Sequence, residues 1–303
     1  MIGPQDLANG IILGAIIGLG AVGLTLTYSI LGFANFAHGE LITAGAYAAL
    51  TSLWLLAATA GWGIGQFGAL SFGAPFLGLL AAAIVLTAAL ALALERGLFG
   101  PLRRRGSRIT LVIASFGAAL ALRSLVAFAW GPEPQYYTRD IPIARAILPG
   151  VRVTADQLFV LALAAALMLG LHLLLTRTTL GRAMRAASEN PALLAATGID
   201  PAWVARATCL IGGGLAAVAG VFLGLIVQVR PWLGFELLLP LFAAAILGGV
   251  GSVYGALAGS LIVGIAEALA VPLVGAEYRA AVAFVVLLAV LLVRPGGLAG
   301  ARE

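Results

Sequence analysis

The most constraining feature of this sequence is a long stretch without charge. No Asp, Glu, Lys or Arg lies between Glu40 and Glu95. Over the whole chain of 303 residues, 10% are charged and 62% are hydrophobic, whereas soluble domains carry about 25% charged residues. So few charges cannot cover the surface of a water-soluble globule of this size. The sequence therefore predicts a protein whose solvent is largely the lipid bilayer.

The apolar runs predict an all-α polytopic membrane protein with about eight transmembrane helices, because a helix that crosses a bilayer needs about 20 apolar residues. The predicted spans are 7–31, 38–60, 73–95, 109–130, 155–176, 202–228, 251–271 and 278–293. The run 236–250 is short, contains Pro240 and ends among glycines, so a broken or re-entrant helix is one interpretation of it. The whole chain, 1–303, is expected to form a single transmembrane domain.

Two clusters of Arg predict the orientation. The first holds Arg96, Arg103, Arg104, Arg105 and Arg108, and the second holds Arg177, Arg182, Arg185 and Arg206. Two predicted spans separate the clusters, so both are expected on one side, and Arg-rich short loops mark the cytoplasm. The N-terminus and the loop 131–154 are then expected outside. The first predicted span is too long for the apolar part of a cleavable signal peptide, and the basic pI is explained by this topology without a nucleic-acid partner.

The residue types present exclude several kinds of enzyme. All 17 basic residues are Arg, so the sequence has no standard Walker A motif, which needs a Lys, and no Lys nucleophile or base. Cys209 is the only cysteine and His38 and His172 are the only histidines, which is too few for an ordinary structural zinc site. We therefore predict no catalytic activity, cofactor or metal in this chain.

The segment 32–40 is the first candidate for a functional element. Asn35 can cap a helix that begins near Phe36, which places His38 and Glu40 in its first turn, where the helix dipole favours a carboxylate. Ionisable residues at membrane depth are costly and usually functional. The segment is either a broken-helix element that lines a substrate path or an interfacial turn with satisfied caps.

The segment 178–200 is too polar to span and predicts two short cytoplasmic helices. Leu180 and Met184 share one face of the first helix; Asn190 and Gly198 are the expected N-cap and C-cap of the second. The residues expected to couple to a partner are Arg182, Met184, Arg185, Ala187, Glu189 and Pro191. The alternatives are a docking surface and a helix lying on the lipid headgroups.

Glycines supply the remaining sequence signals. Gly10, Gly14 and Gly18 form a ridge at four-residue spacing, which lets helices approach closely in lipid; Gly251, Gly255 and Gly259 form a second ridge. A glycine-rich turn precedes the last-but-one predicted helix. Its residues Gly248, Gly249, Gly251 and Ser252 are added to the candidate substrate path, and Ser252 is also expected to cap the helix that follows. For Arg123, His172, Glu236 and Glu267, a structural role is favoured over a role in the path.

Taken in order along the chain, these segments resemble the H-type (LivH-type) permease subunit of branched-chain amino-acid ABC importers. The resemblance is carried by residues 35–40, 45–47, 101–104, 181–199, 246–255 and 294–298. The companion M-type subunit lacks the Asn-Phe-Ala-His-Gly sequence found at 35–39. The matching positions run from about residue 10 to 298 and therefore cover nearly the whole chain.

The resemblance implies a multi-pass permease of the bacterial inner membrane that works with a second permease of the M type, two cytoplasmic ATPases and a periplasmic or extracellular binding protein. The segment 178–200 would then sit in a groove on an ATPase. The matching motifs are architectural, so urea or short amides are alternative substrates to branched-chain or related amino acids. An ion-coupled secondary transporter of a small polar solute, with His38, Glu40 or Glu267 as the ion site, is the competing class.

Overall fold

The computed structural model describes residues 3–60, 65, 67–138, 142–275, 278–294 and 296–298, and this part of the chain is almost entirely helical. The helices are α1 (Pro4–Leu31), α2 (Ala37–Ala60), α3 (Pro75–Leu94), α4 (Gly100–Arg105), α5 (Arg108–Trp130), α6 (Ala155–Arg177), α7 (Thr179–Glu189), α8 (Pro191–Ala196), α9 (Pro201–Ile226), α10 (Leu233–Gly248), α11 (Val253–Val274) and α12 (Arg279–Val293). A π-helical turn, Glu95–Phe99, joins α3 to α4. The antiparallel strands β1 (Arg145–Leu148) and β2 (Val151–Val153) form a hairpin before α6.

Seven helical segments in the described part of the chain are long and apolar enough to cross a bilayer. They are α1, α2, the continuous run from α3 through α4, α5, α6, α9 and α11. The predicted eighth span is α12, whose 15 residues reach only about 22 Å, less than the roughly 30 Å of a bilayer core. The prediction of an all-α polytopic membrane protein is confirmed.

Residues 236–248 of the region 236–250 belong to one continuous helix, α10, and Gly249 lies just after its end. Pro240 lies inside α10 and does not end it. The 16 residues of α10 span about 24 Å, which is shorter than the bilayer core. Most of its residues are buried by protein, which is the condition under which an irregular or short helix is tolerated at membrane depth.

The two glycine ridges pack against different neighbours. The ridge on α1 faces α11: a Cβ added at Gly10 would lie 2.7 Å from the Cα of Ile265, and one at Gly14 would lie 2.9 Å from the Cα of Leu261. The ridge on α11 faces α10, because a Cβ at Gly259 would overlap the backbone of Ala244. Small residues therefore bring the backbones of α1, α11 and α10 together. The second predicted ridge is confirmed for Gly255 and Gly259, whereas Gly251 lies before the first residue of α11 and takes no part in it.

The two Arg clusters lie at one end of the bundle, which we call the Arg-rich end. A cavity of about 440 Å³ is lined both by Arg96, Arg104 and Arg105 of the first cluster and by Arg206 of the second. The prediction that both clusters share a side is confirmed for these residues. The opposite end carries the start of α1 and the end of α11, and we call it the distal end.

The packing of α1 on α11 generates a testable prediction about stability. Gly14→Val is expected to destabilise the protein by about 1–3 kcal/mol, because the new side chain would force apart two packed backbones. Gly170→Val is the matched control, since a Cβ at Gly170 meets no atom within 4 Å. Thermal unfolding of the detergent-solubilised protein should show a lower midpoint for the α1 variant than for the control; equal midpoints would contradict the packing argument.

Candidate functional site

The chain turns back into the bundle between α1 and α2. The Nε2 atom of His38 lies 3.0 Å from the carbonyl oxygen of Gly20, and Gly20 is 11 residues before the last residue of α1. Eleven helical residues correspond to about 16 Å. The first turn of α2 is therefore level with the middle of α1, and residues 32–36 reach inward from the end of α1.

Local hydrogen bonds hold this inward turn in place. The side-chain oxygen of Asn35 accepts a hydrogen bond from the amide of Ala37 (3.1 Å), and its carbonyl accepts one from the amide of His38 (3.2 Å). The amide of Phe36 donates to the hydroxyl of Ser115 on α5 (3.2 Å). The predicted capping role of Asn35 is confirmed, and the cap forms in the protein interior, where Asn35 is buried.

Glu40 forms a buried ion pair with Arg123 of α5. The Nη2 and Nε atoms of Arg123 lie 2.5 and 3.0 Å from one carboxylate oxygen of Glu40. The guanidinium carbon also lies 4.0 Å from the centre of the Phe235 ring, a favourable position for a cation. Arg123 therefore ties α5 to the start of α2, a structural role that the sequence favoured without indicating its partner.

Two polar atoms at the start of α2 have no partner among the described residues. They are the Nδ1 atom of His38 and the second carboxylate oxygen, Oε2, of Glu40. His38 is fully buried and packs against Gly23, where an added Cβ would lie 3.1 Å from the ring. The start of α2 thus carries unused hydrogen-bonding capacity inside the bundle.

The glycine-rich turn between α10 and α11 is packed at Gly248 and Gly249, whereas Gly251 is exposed. A Cβ at Gly248 would overlap Gly255, and a Cβ at Gly297 would lie 2.6 Å from the amide nitrogen of Gly249. Gly249 and Gly251 have φ values of +95° and +94°, a region that favours glycine. The hydroxyl of Ser252 accepts a hydrogen bond from the amide of Gly255 (3.1 Å), so the predicted cap is confirmed.

The two groups of predicted path residues contact different parts of α10: the glycine turn follows its last residue, whereas the start of α2 packs along α10 from Gly234 to Phe242. The turn at 248–252 is at the Arg-rich end, whereas the start of α10 contacts α2, where the Gly234 amide donates to the Thr43 hydroxyl (2.9 Å). A contact between the rings of Phe36 and Phe242, 5.2 Å apart, lies between the two groups. The structure does not bring Asn35, His38 and Glu40 into one cavity with the glycine turn.

The predicted coupling helices are α7 and α8, and each has one face buried against the bundle and one face exposed. Met184 and Ala187 are buried against the bundle, whereas Arg182 and Glu189 are exposed. Arg185 is exposed but its Nη1 atom donates to the carbonyl of Leu175 at the end of α6 (2.6 Å). The predicted caps are confirmed: Asn190 accepts from two amides at the start of α8, and Gly198 has a positive φ after its end.

Leu193 on α8 is a surface residue that sequence reasoning did not single out. Its side chain is 65% exposed, although Leu194 beside it is buried. Leu193 therefore places an apolar side chain on the outer surface of an otherwise polar segment. The signal in the sequence was the Leu-Leu pair, of which a short helix can bury only one member.

Four charged residues surround a cavity of about 420 Å³ toward the distal end. They are Arg230, Glu236, Glu267 and Arg279. Arg230 and Glu236 lie in an ion pair of 2.6 Å, and Glu267 and Arg279 lie 3.7 Å apart. Glu236 and Glu267 stand out in the sequence as isolated charges, but the cavity does not, because its walls come from separate helices. The other isolated ionisable residue, His172, hydrogen bonds through Nδ1 to the hydroxyl of Tyr254 (2.8 Å).

Comparison with known proteins gives matches over nearly the full chain. The family model described as the permease component of the branched-chain amino acid transport system matches residues 7–291. The chain is 35% identical to the high-affinity branched-chain amino acid transport system permease protein BraD of Pseudomonas aeruginosa, over 99% of this chain and 96% of the relative. It is 34% identical to LivH of Escherichia coli K12 with the same coverage, and 29% identical to a probable LivH of Methanocaldococcus jannaschii over 97% and 91%.

The Glu40–Arg123 pair generates a second stability prediction. Arg123→Gln is expected to cost about 3–5 kcal/mol, because it leaves a buried carboxylate without its cation. Glu40→Gln combined with Arg123→Gln should recover a large part of that loss, since no unpaired charge remains. Unfolding midpoints of the wild type, both single variants and the double variant form the cycle that measures this coupling, and additive effects would show that the two residues do not interact.

Proposed function

The chain belongs to the family of permease components of branched-chain amino acid transport systems, and from this membership we propose that it carries branched-chain or related amino acids across the inner membrane as one permease of an ABC importer. It is a multi-pass membrane protein, and its relatives match it almost end to end. In this proposal residues 1–303 act as a single permease domain. The observation that carries the proposal is the full-length match combined with an exposed helical surface at the Arg-rich end.

The partners in this proposal are an M-type permease, two cytoplasmic ATPases and an external binding protein that delivers the substrate. The sequence contains no Lys, and a standard Walker A site requires one. The energy of ATP must therefore come from separate subunits. The binding protein would meet the distal end of the bundle, where the predicted topology puts the outside of the cell.

The ATPase contact is assigned to α7 and α8. Arg182, Glu189, Pro191 and Leu193 are exposed on these helices, which offers a partner both charges and an apolar anchor. Met184 and Ala187 are buried under the same helices, so in this proposal they transmit motion into the bundle and do not touch the ATPase. The hydrogen bond from Arg185 to Leu175 links α7 directly to a spanning helix.

The start of α2 is our candidate for the moving part of the path. Asn35, His38 and Glu40 lie on a short inward turn that contacts the middle of α1, and broken elements of this kind line the substrate route in other transporters. The turn formed by Gly248, Gly249, Gly251 and Ser252 would serve as the pivot between α10 and α11. Alternating exposure of the substrate would follow from motion of α7 relayed through the spanning helices.

The proposed function is tested in proteoliposomes that contain this chain together with the second permease and the ATPases of the same importer. With the binding protein outside and ATP inside, labelled leucine, isoleucine or valine should accumulate. Uptake driven by a proton or sodium gradient with this chain alone would instead identify an ion-coupled transporter. ATP-dependent uptake of urea or acetamide, with no uptake of amino acids, would replace the substrate class and retain the ABC mechanism.

The exposed apolar side chain on α8 generates a prediction about assembly. Leu193→Asp should weaken association with the ATPase subunits by roughly tenfold or more, because a carboxylate would be buried in an apolar contact. Leu193→Met is the matched control, since it keeps an apolar side chain of similar size. Co-purification of the ATPases on the tagged permease measures association, and full retention by the Asp variant would remove α8 from the interface.

A further inference from the structure

The cavity of about 420 Å³ near the distal end has the size of a small-molecule site, for which about 300–1,000 Å³ is usual. Its walls come from α1, α9, α10, α11, α12 and the segment that joins α9 to α10. The apolar part of the lining is Leu13, Leu223, Val227, Leu233, Leu237 and Pro240. A cavity with aliphatic walls and a few charged groups suits a ligand that carries both an apolar side chain and charges.

Glu267 is the charged group most in need of a partner. Its side chain is 2% exposed, and its Oε1 atom has no hydrogen-bond partner among the described residues. The nearest cation is Arg279, at 3.7 Å from the other oxygen, which is beyond the usual hydrogen-bond range of 2.7–3.2 Å. A buried carboxylate that lacks hydrogen bonds is costly, so a ligand that donates to Oε1 would recover that cost.

Arg279 and Arg230 place positive charge in the same cavity as Glu267. Arg279 is half exposed and does not satisfy Glu267 by a hydrogen bond, so its guanidinium remains available at the cavity. Arg230 forms an ion pair with Glu236, yet its buried Nε atom has no hydrogen-bond partner in the described part of the chain. The cavity therefore presents an acceptor for a cation and donors for an anion beside an aliphatic wall.

We propose that this cavity binds the α-amino acid zwitterion itself, with the ammonium group on Glu267, the carboxylate on Arg279 and the aliphatic side chain against Leu13 and Leu237. The inference rests on the proposed function, because it names the place where that substrate is held within this subunit. On the predicted topology the cavity faces the side from which the binding protein releases its cargo. It would therefore be the first site that the substrate occupies in the membrane.

A purely structural ion pair between α11 and α12 makes different predictions. Removing either partner of such a pair would lower the stability of the protein, and the pair would not distinguish one small molecule from another. In a zwitterion site, by contrast, each charged residue binds one charged group of the ligand, either the ammonium group or the carboxylate. Ligand analogues that lack one charge therefore separate the two interpretations.

The test uses the complete transporter in lipid nanodiscs without its binding protein, and measures ligand binding by saturation-transfer NMR. The probes are L-leucine, L-leucinol, which has no carboxylate, and 4-methylpentanoate, which has no ammonium group. Glu267→Gln should weaken leucine and leucinol roughly 10- to 100-fold, the range expected for a lost charged hydrogen bond, and leave 4-methylpentanoate unchanged. Arg279→Gln should weaken leucine and 4-methylpentanoate and spare leucinol.

Glu133→Gln provides the matched control, because it makes the same carboxylate-to-amide change on an exposed loop residue and should alter no probe. Unfolding midpoints of all variants identify any that are misfolded. A wild-type protein that binds none of the probes, or variants that affect all three probes equally, would overturn the inference.

ATP-dependent leucine uptake by the wild type is measured in parallel. Uptake combined with unselective variants refutes the cavity assignment while the proposed function stands. A wild type that binds leucine selectively but transports none refutes the proposed function and leaves the cavity assignment in place.

Discussion

The close approach of the α1 and α11 backbones is the contact on which the rest of the structure depends. Lipid gives helices no hydrophobic reason to associate, so packing must come from surfaces that fit closely. Gly10 and Gly14 allow this approach, since a Cβ at either would lie within 3 Å of an α11 Cα atom. With α11 fixed, α1 is buried over most of its length and supplies both the carbonyl that receives His38 and the Leu13 wall of the distal cavity.

Two buried carboxylates show how geometry separates a structural role from a binding role. Glu40 accepts two hydrogen bonds from Arg123, whose cation also lies over an aromatic ring; that pair joins two helices and needs no ligand on the paired oxygen. Each carboxylate keeps one oxygen without a partner among the described residues, but Glu267 differs from Glu40 because its arginine, Arg279, lies 3.7 Å away and donates no hydrogen bond to it. The free energy of an unsatisfied buried charge is lowered by whatever supplies the missing partner, and the ammonium group of the proposed amino-acid ligand is such a partner.

At the Arg-rich end, the helices α7 and α8 bury some of their side chains against the bundle and expose others. The buried face of α7 attaches the short helices to the bundle, whereas the charges of α7 and the side chain of Leu193 on α8 are exposed. A rigid connection on one side and an accessible surface on the other is what a transmitting element requires. The attachment of α7 to the bundle also includes a hydrogen bond, which Arg185 donates to the carbonyl of Leu175 near the end of α6.

The sequence by itself determined the helical class, seven of the long spans, the caps at Asn190, Ser252 and Gly198, and the shared side of the Arg clusters, because these follow from local apolar length and local hydrogen bonding. It also carried the family resemblance. Only the tertiary structure decided which charges meet: Glu40 with Arg123, and Glu267 with Arg279, lie 83 and 12 residues apart along the chain. Such pairings depend on how helices are arranged side by side, which no local pattern encodes, and the distal cavity exists only because several separate elements enclose it.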